Sequence, residues 1–158
     1  MSTRAIDRYA YAHDASHYLL IPNEVIKAED TEHVVKKLRE AYLSGVPITF
    51  RSGGTSLSGQ AVTDSLMLDT RAHFKKIEVL DNGARVRVQP GATVREVNTR
   101  LARFGYKLGP DPASEAACTI GGGIANNSSG MVCGTEFNTY KDRKSTRLNS
   151  SHTVISYA

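Results

Sequence analysis

Two stretches of the chain place apolar residues at the spacing of an amphipathic helix. In residues 31–44 one face carries Val34, Val35, Leu38, Ala41 and Tyr42, and Gly45 follows as an end signal. Residues 93–104 repeat the pattern after a Thr93–Glu96 capping box, with Gly105 as the end signal. The sequence therefore predicts two helices, one in each half of the chain.

Shorter apolar runs bounded by turn residues predict strands. These runs are 18–21, 47–50, 66–68, 77–80 and 86–89. Pro22 stops the first of them, and the turn Asp81-Asn82-Gly83 joins the last two as a hairpin. The mixed order of strands and helices favours an α+β domain of two small subdomains.

The stretch after the 47–50 run is rich in glycine and hydroxyl side chains. It reads Arg51-Ser-Gly-Gly-Thr-Ser-Leu-Ser-Gly-Gln60. Glycine permits positive φ angles, so successive backbone N–H groups can converge on one anion, while hydroxyls and the Arg51 charge add further donors. The pattern favours a diphosphate site, and an ordinary tight turn is the alternative with the same composition.

A second stretch, residues 109–130, has the same neutral, glycine-rich character. Pro110 and Pro112 hold its entry extended, and three glycines at 121–123 would let the backbone approach a flat ligand. The amides and hydroxyls of residues 126–129 offer hydrogen bonds. We expect the two stretches to form two walls of one elongated site.

Taken together, these motifs resemble a flavoprotein family. They are similar to the FAD-binding domain of the vanillyl-alcohol oxidase and p-cresol methylhydroxylase superfamily, above all to the branch of D-lactate dehydrogenases and the glycolate oxidase FAD subunit. The matching pieces are 50–56, 59–60, 88–91, 109–112, 119–122 and 126–130. The glycine spacing differs from the G-x-G-x-x-G pattern of Rossmann dinucleotide sites.

The resemblance implies a two-subdomain α+β FAD-binding domain of the vanillyl-alcohol oxidase type, with the diphosphate between the subdomains. It implies cofactor contacts from Arg51, Ser52, Gly53, Gly54, Thr55, Ser56, Gly59 and Gln60. On the other wall it implies contacts from Pro110, Asp111, Ser114, Thr119, Ile120, Gly121, Gly122, Ser129 and Gly130. Covalent members carry a histidine after the Gly-Gly pair; Thr55 stands there in this chain, which implies noncovalent FAD.

The implied chemistry is transfer of a hydride or two electrons from a small 2-hydroxy acid, preferably D-lactate, to the flavin. Catalytic groups of the resembled enzymes lie on a later cap domain, so no catalytic residue and no electron acceptor are assigned. Residues 4–8 and 12–16 resemble D-lactate dehydrogenases that carry an iron–sulfur region further on, which implies such a cluster beyond this chain. The alternatives are an inactive truncated fragment, or a same-fold enzyme acting on a sugar or an enolpyruvyl-UDP-sugar.

The last 17 residues, 142–158, need a separate explanation. They resemble a translated sequencing-library adapter that reads in one frame to the last residue; a basic, serine-rich flexible tail is the alternative. We therefore expect residues 1–141 to be the N-terminal part of a truncated FAD-binding domain and 142–158 to be a non-native, disordered tail. The fragment alone is expected to be inactive.

Charge and cysteine content narrow the functional class further. The tail contributes +2 of the formal net charge of +4. The basic character of the chain therefore does not indicate nucleic-acid binding. His13 and His17 stand four apart without a third ligand, and no metal site is predicted. Two cysteines without a Cys-x-x-Cys spacing and no apolar span favour a cytoplasmic setting, with a peripheral position at the inner face of the membrane as an alternative.

Overall fold

The computed structural model describes residues 2–134 and 136–140 with their side chains, and residues 153–156 by their backbone. The chain divides into two compact units, which we call unit 1 (residues 1–73) and unit 2 (residues 74–158). In the described residues, no helix is long and apolar enough to cross a membrane.

Unit 1 is built on a three-stranded parallel sheet. Its elements are α1 (Ala5–Ala10), β1 (Glu24–Lys27), α2 (Thr31–Ser44), β2 (Ile48–Arg51) and β3 (Leu66–Asp69). The strand order is β1–β3–β2, with β3 in the middle. Met67 and Leu68 point to opposite faces of β3 and are both fully buried, so the central strand is covered on both faces, as parallel sheets require.

Helix α2 confirms the prediction from apolar spacing. The Asp30 side chain caps its start by accepting a hydrogen bond from the His33 N–H (2.7 Å), and Gly45 ends it with φ +67°. Burial is narrower than the predicted apolar face, because Ala41 is buried while Tyr42 is 85% exposed. The predicted apolar face is therefore wider than the part of α2 that is buried.

The prediction of a strand at residues 18–21 is wrong. Tyr18 and Leu19 are exposed, and this segment makes one isolated bridge, between His13 and Leu19. The strand begins beyond Pro22, at Glu24, where Val25 and Ile26 are buried against the rest of the sheet. The chain reaches a sheet neighbour only after the proline, so the exposed run before it stays irregular.

Unit 2 combines an antiparallel sheet with two helices. Its elements are β4 (Ile77–Leu80), a 3-10 turn (Asp81–Gly83), β5 (Arg85–Val88), α3 (Val94–Leu101), a 3-10 turn (Ala102–Phe104), α4 (Ile120–Ala125) and β6 (Thr153–Ser156). The hairpin of β4 and β5 and the helix α3 were predicted and are confirmed. Buried side chains of β5 and α3 pack with Leu108 and Ile120 into one apolar core.

Strand β6 corrects part of the expectation for the tail. Irregular structure was expected throughout residues 142–158, but Thr153–Ser156 pair with β5 as an antiparallel strand. Threonine, valine and isoleucine favour strands, and β5 offers an edge opposite β4. The rest of the tail lies outside the described residues, and the origin of the tail stays a prediction.

Candidate functional site

The loop that follows β2 has the backbone geometry of an anion-binding site. Gly54 and Gly59 adopt φ angles of +67° and +77°. Within the described part of the chain, no acceptor receives the backbone N–H of Gly53, Gly54 or Thr55. These residues are half-buried, so water satisfies their N–H groups only in part. An anion that accepts hydrogen bonds from these groups would therefore bind favourably here.

The polar side chains of this loop divide into two groups. Ser52 and Thr55 are half-buried and make no side-chain hydrogen bond within the described residues. Ser56 and Gln60 are occupied with each other, since the Ser56 hydroxyl donates to the Gln60 amide oxygen. Ser52 and Thr55 are therefore the hydroxyls that a ligand could engage without breaking an internal bond.

Arg51 lies beneath the loop and is 8% exposed. Its guanidinium donates hydrogen bonds to the backbone carbonyls of Ala61 (2.9 Å), Tyr11 (3.5 Å) and His13. The same group sits 5.8 Å from the centre of the Tyr11 ring. The sequence predicted that Arg51 contacts the ligand, whereas in the structure three of its five N–H donors bond backbone carbonyls.

The half-buried Tyr11 and the buried Asp69 form a polar pair that sequence reasoning missed. The Tyr11 hydroxyl donates to the Asp69 carboxylate, which also accepts the Arg71 N–H (2.6 Å). Burial, followed by the hydrogen bond and charge of Asp69, raises the pKa of Tyr11 to about 12. An aspartate at the end of a buried strand was the available signal for this pair.

Tyr18 also contacts the loop. A β-carbon at Gly59 would lie 2.5 Å from the Tyr18 ring, so the ring packs directly on the glycine backbone. Tyr18 is nevertheless 59% exposed. Residues 11–18 therefore line the loop from one side, which the apolar pattern of residues 18–21 did not indicate.

In the second stretch the backbone donors are already occupied. The N–H of Ile120 donates to Ala92 O (2.9 Å) and that of Gly121 to Pro90 O (3.0 Å). The Thr119 hydroxyl accepts the Gly122 N–H (3.4 Å) and caps α4. The expected open glycine loop is thus a short helix, and its first N–H groups are not available to a ligand.

Asp111 and Gly130, both predicted to contact the cofactor, contact each other. The Asp111 carboxylate accepts hydrogen bonds from the N–H groups of Val132 (3.1 Å) and Cys133 (3.2 Å). A β-carbon at Gly130 would meet the Asp111 carbonyl carbon at 2.5 Å, so only glycine fits. Burial raises the pKa of Asp111, but these hydrogen bonds outweigh it and lower the pKa overall.

The remaining predicted residues of this stretch differ in exposure. Pro110 is buried and, with Ile120, lines an apolar cleft of unit 2. The Ser114 carbonyl accepts the N–H groups of Ala117 (2.8 Å) and Cys118 (2.9 Å), whereas Ser129 is exposed. The first loop lies in unit 1 and the second stretch in unit 2. That they face one ligand stays a prediction.

Comparison with known proteins supports the interpretation of these motifs. The model of a protein family described as "FAD binding domain" matches residues 22–147. The chain is 35% identical over 120 residues to glycolate oxidase subunit GlcD of Escherichia coli, covering 75% of this chain and 24% of that protein. It is 33% identical over 130 residues to D-lactate dehydrogenase of Archaeoglobus fulgidus, covering 77% of this chain and 29% of that protein.

Structural comparison supports the same fold. The chain superposes on a crystal structure of alkyldihydroxyacetonephosphate synthase with a TM-score of 0.80 at 18% identity, covering 98% of this chain and 37% of the other. The expected fold class is therefore confirmed. The chain spans roughly a quarter of the length of the two curated relatives.

Proposed function

The chain belongs to the FAD binding domain family, and from this premise we propose that it is the FAD-binding part of a flavin-dependent oxidoreductase that oxidises a small 2-hydroxy acid. The observation that carries the proposal is the loop after β2, where three consecutive backbone N–H groups lack an acceptor within the described residues and Gly54 has a positive φ. A diphosphate supplies the acceptors that this backbone needs.

The residues present fit an FAD diphosphate. Gly53, Gly54 and Thr55 would donate backbone N–H groups, and the hydroxyls of Ser52 and Thr55 would add two further donors. Bound FAD would supply the two-electron chemistry, while the chain holds the cofactor and orients it. Thr55 has no group that bonds covalently to a flavin ring, so we propose that FAD is held noncovalently and that acid or heat releases it from the protein.

Binding measurements on the chain test the diphosphate assignment. We expect FAD to bind about tenfold or more tightly than riboflavin, which shares the flavin ring but lacks the diphosphate. Flavin fluorescence or equilibrium dialysis gives both affinities. Equal affinity for FAD and riboflavin would show that the loop does not bind the diphosphate.

A pair of glycine variants separates the contribution of the loop to FAD binding from the effect of backbone strain. Gly54 and Gly45 have the same φ of +67°, but a β-carbon at Gly45 would contact nothing within 4 Å. Gly54→Val should abolish FAD binding, whereas Gly45→Val carries the same strain away from the loop and should leave the affinity of the folded protein unchanged. Normal FAD content in Gly54→Val would contradict the assignment.

We propose D-lactate as the substrate of the whole protein, because the motifs resemble D-lactate dehydrogenases and one curated relative carries that name. Another relative is a glycolate oxidase subunit, so assays should include glycolate beside D-lactate. The genomic sequence downstream of residue 141 is the sharpest test. A run of Cys-x-x-Cys-x-x-Cys-x-x-x-Cys-Pro after a cap domain would support an iron–sulfur partner for the flavin.

The second candidate is an inactive fragment that ends in library DNA. It is favoured by the coverage of only about a quarter of the glycolate oxidase subunit and of the D-lactate dehydrogenase, and by the adapter-like tail. We expect the purified 158-residue chain with FAD, D-lactate and an artificial electron acceptor to show no saturable turnover. Turnover by the chain would place the catalytic groups within it, and resequencing the source DNA across codon 141 decides the origin of the tail.

A further inference from the structure

The Arg51 side chain connects three separate parts of unit 1. Arg51 is the last residue of β2, and the glycine-rich loop starts directly after it. Its Nη1 atom donates to Ala61 O, at the far end of that loop, and to Tyr11 O. Its Nη2 atom donates to His13 O. One guanidinium thus joins both ends of the loop to the segment around residues 11–13.

The surroundings of Arg51 compensate its charge inside the protein. Burial lowers the pKa of Arg51, and the charge of Asp14 is the largest influence that opposes this effect, followed by Tyr11; Asp69 acts in the same direction. Asp14 is itself fixed, because its carboxylate accepts the Ser16 N–H (2.8 Å). Three of the five guanidinium N–H groups are thus engaged by backbone carbonyls, and nearby acidic groups offset the positive charge, which leaves Arg51 less free to bind a phosphate.

The loop backbone rests directly on this group. A β-carbon at Gly54 would lie 2.7 Å from Arg51 Cζ, so the guanidinium fills the space that a side chain would occupy. Gly54 belongs to the three residues whose N–H groups lack an acceptor within the described chain. The position of Arg51 therefore sets how far these N–H groups can move.

We propose that Arg51 is a positioning residue for the cofactor loop and not a ligand of the diphosphate. It fixes the backbone of residues 52–60 in the conformation whose N–H groups receive the anion, by bonding to the carbonyls of Tyr11, His13 and Ala61. This inference rests on the proposed FAD site. The positioning role can be told apart from direct binding of the phosphate by charge. Three carbonyls are bonded by the planar guanidinium of arginine, and a lysine ammonium cannot reach all of them.

The test compares Arg51→Ala, Arg51→Lys and the unchanged chain, with Arg39→Ala as a control for the loss of an exposed positive charge on α2. Cleavage of the chain within residues 52–61 by a nonspecific protease is measured without FAD, and FAD affinity is measured separately. We expect both Arg51 variants to be cleaved faster in this segment and to bind FAD about 10- to 100-fold more weakly. Arg39→Ala should match the unchanged chain in both measurements.

Chemical rescue adds a readout that a general loss of stability would not show. Millimolar guanidinium chloride, far below denaturing concentrations, should restore slow cleavage of the loop and FAD affinity to Arg51→Ala, because the free ion fits the same carbonyl acceptors. Ammonium chloride at equal ionic strength should not. If Arg51→Lys binds FAD within twofold of the unchanged chain, charge alone suffices and the positioning role is wrong.

The cleavage measurement also separates this inference from the proposed function. If the unchanged chain fails to bind FAD, the proposed function fails, while the cleavage rate within residues 52–61 still decides whether Arg51 orders the loop. Should Arg51→Ala not fold, Arg51→Lys and a double-mutant cycle with Gly54→Ala remain. We expect Gly54→Ala to lower the melting temperature less in the Arg51→Lys background, where the group beneath it is smaller; equal losses in both backgrounds would overturn the contact.

Discussion

Two glycines of α4 should respond in opposite ways to the same substitution. A β-carbon at Gly121 would lie 2.6 Å from the Pro90 β-carbon and 3.0 Å from the Pro90 carbonyl oxygen. At Gly123 the nearest atoms, those of Ser128, lie 3.8 Å away, which is ordinary contact. Neither glycine has a positive φ. Alanine at either site therefore gains the same helix propensity, but only at Gly121 does it collide with neighbouring backbone.

The magnitudes follow from these distances. Replacing glycine by alanine inside a helix stabilises by up to about 1 kcal/mol. Overpacking against a backbone that cannot move away costs about 1–3 kcal/mol. Gly123→Ala should thus raise the free energy of unfolding by up to about 1 kcal/mol. The free energy of unfolding of Gly121→Ala should be about 1–3 kcal/mol lower than that of Gly123→Ala, because both variants gain the same helix propensity and only Gly121→Ala is overpacked.

Urea denaturation of the two variants beside the unchanged chain measures this difference directly. For a domain of this size, each 1 kcal/mol corresponds to roughly 2–4 °C in melting temperature, so thermal scans should show the same order. The reasoning fails if Gly121→Ala is as stable as Gly123→Ala. That result would mean that α4 can shift away from Pro90 without loss.

Three further outcomes follow from the described contacts. Thr93→Ala should destabilise by about 0.5–2 kcal/mol in urea denaturation, because it removes the cap that Thr93 forms with the Glu96 N–H. Asp111→Asn should lower the melting temperature at neutral pH; since the folded pKa of Asp111 is lowered, the gap to the unchanged chain should close as pH falls below its unfolded value of about 4. Because the pKa of Tyr11 is raised, its protonated form stabilises the fold below the unfolded pKa, and this stability is lost as pH rises through about 12. Asp69→Asn should lower the pKa of Tyr11, which an ultraviolet titration measures. Tyr11→Phe identifies the signal that belongs to Tyr11.

Local signals explain which elements the sequence predicted correctly. The capping box of α3 forms with both of its hydrogen bonds, and Gly45 and Gly105 end their helices with positive φ. Each signal lies within a few residues of the element that it defines, so no knowledge of tertiary contacts was needed. The same holds for the hairpin of β4 and β5, whose two strands are joined by one short turn.

Tertiary contacts explain the elements that were missed. Three consecutive glycines disfavour a helix on propensity alone, yet α4 forms because Thr119 caps it and because Ala92 and Pro90 accept its first N–H groups. The partners of Arg51 were equally out of reach, since they are backbone carbonyls, which carry no sequence signature. The sequence located the glycine loop correctly but could not show what supports it.

The strand order of unit 1 determines when its loop can take shape. Strand β3 pairs with both β1 and β2 but is made last, and its register joins residues 24 and 66 across a long chain separation. During synthesis β1 and β2 emerge first and have no partner until residues 66–69 follow, whereas the neighbouring strands of the β4–β5 hairpin close locally and fast. The glycine loop lies within the connection from β2 to β3. The loop can therefore take its final shape only once the middle strand has paired with both neighbours.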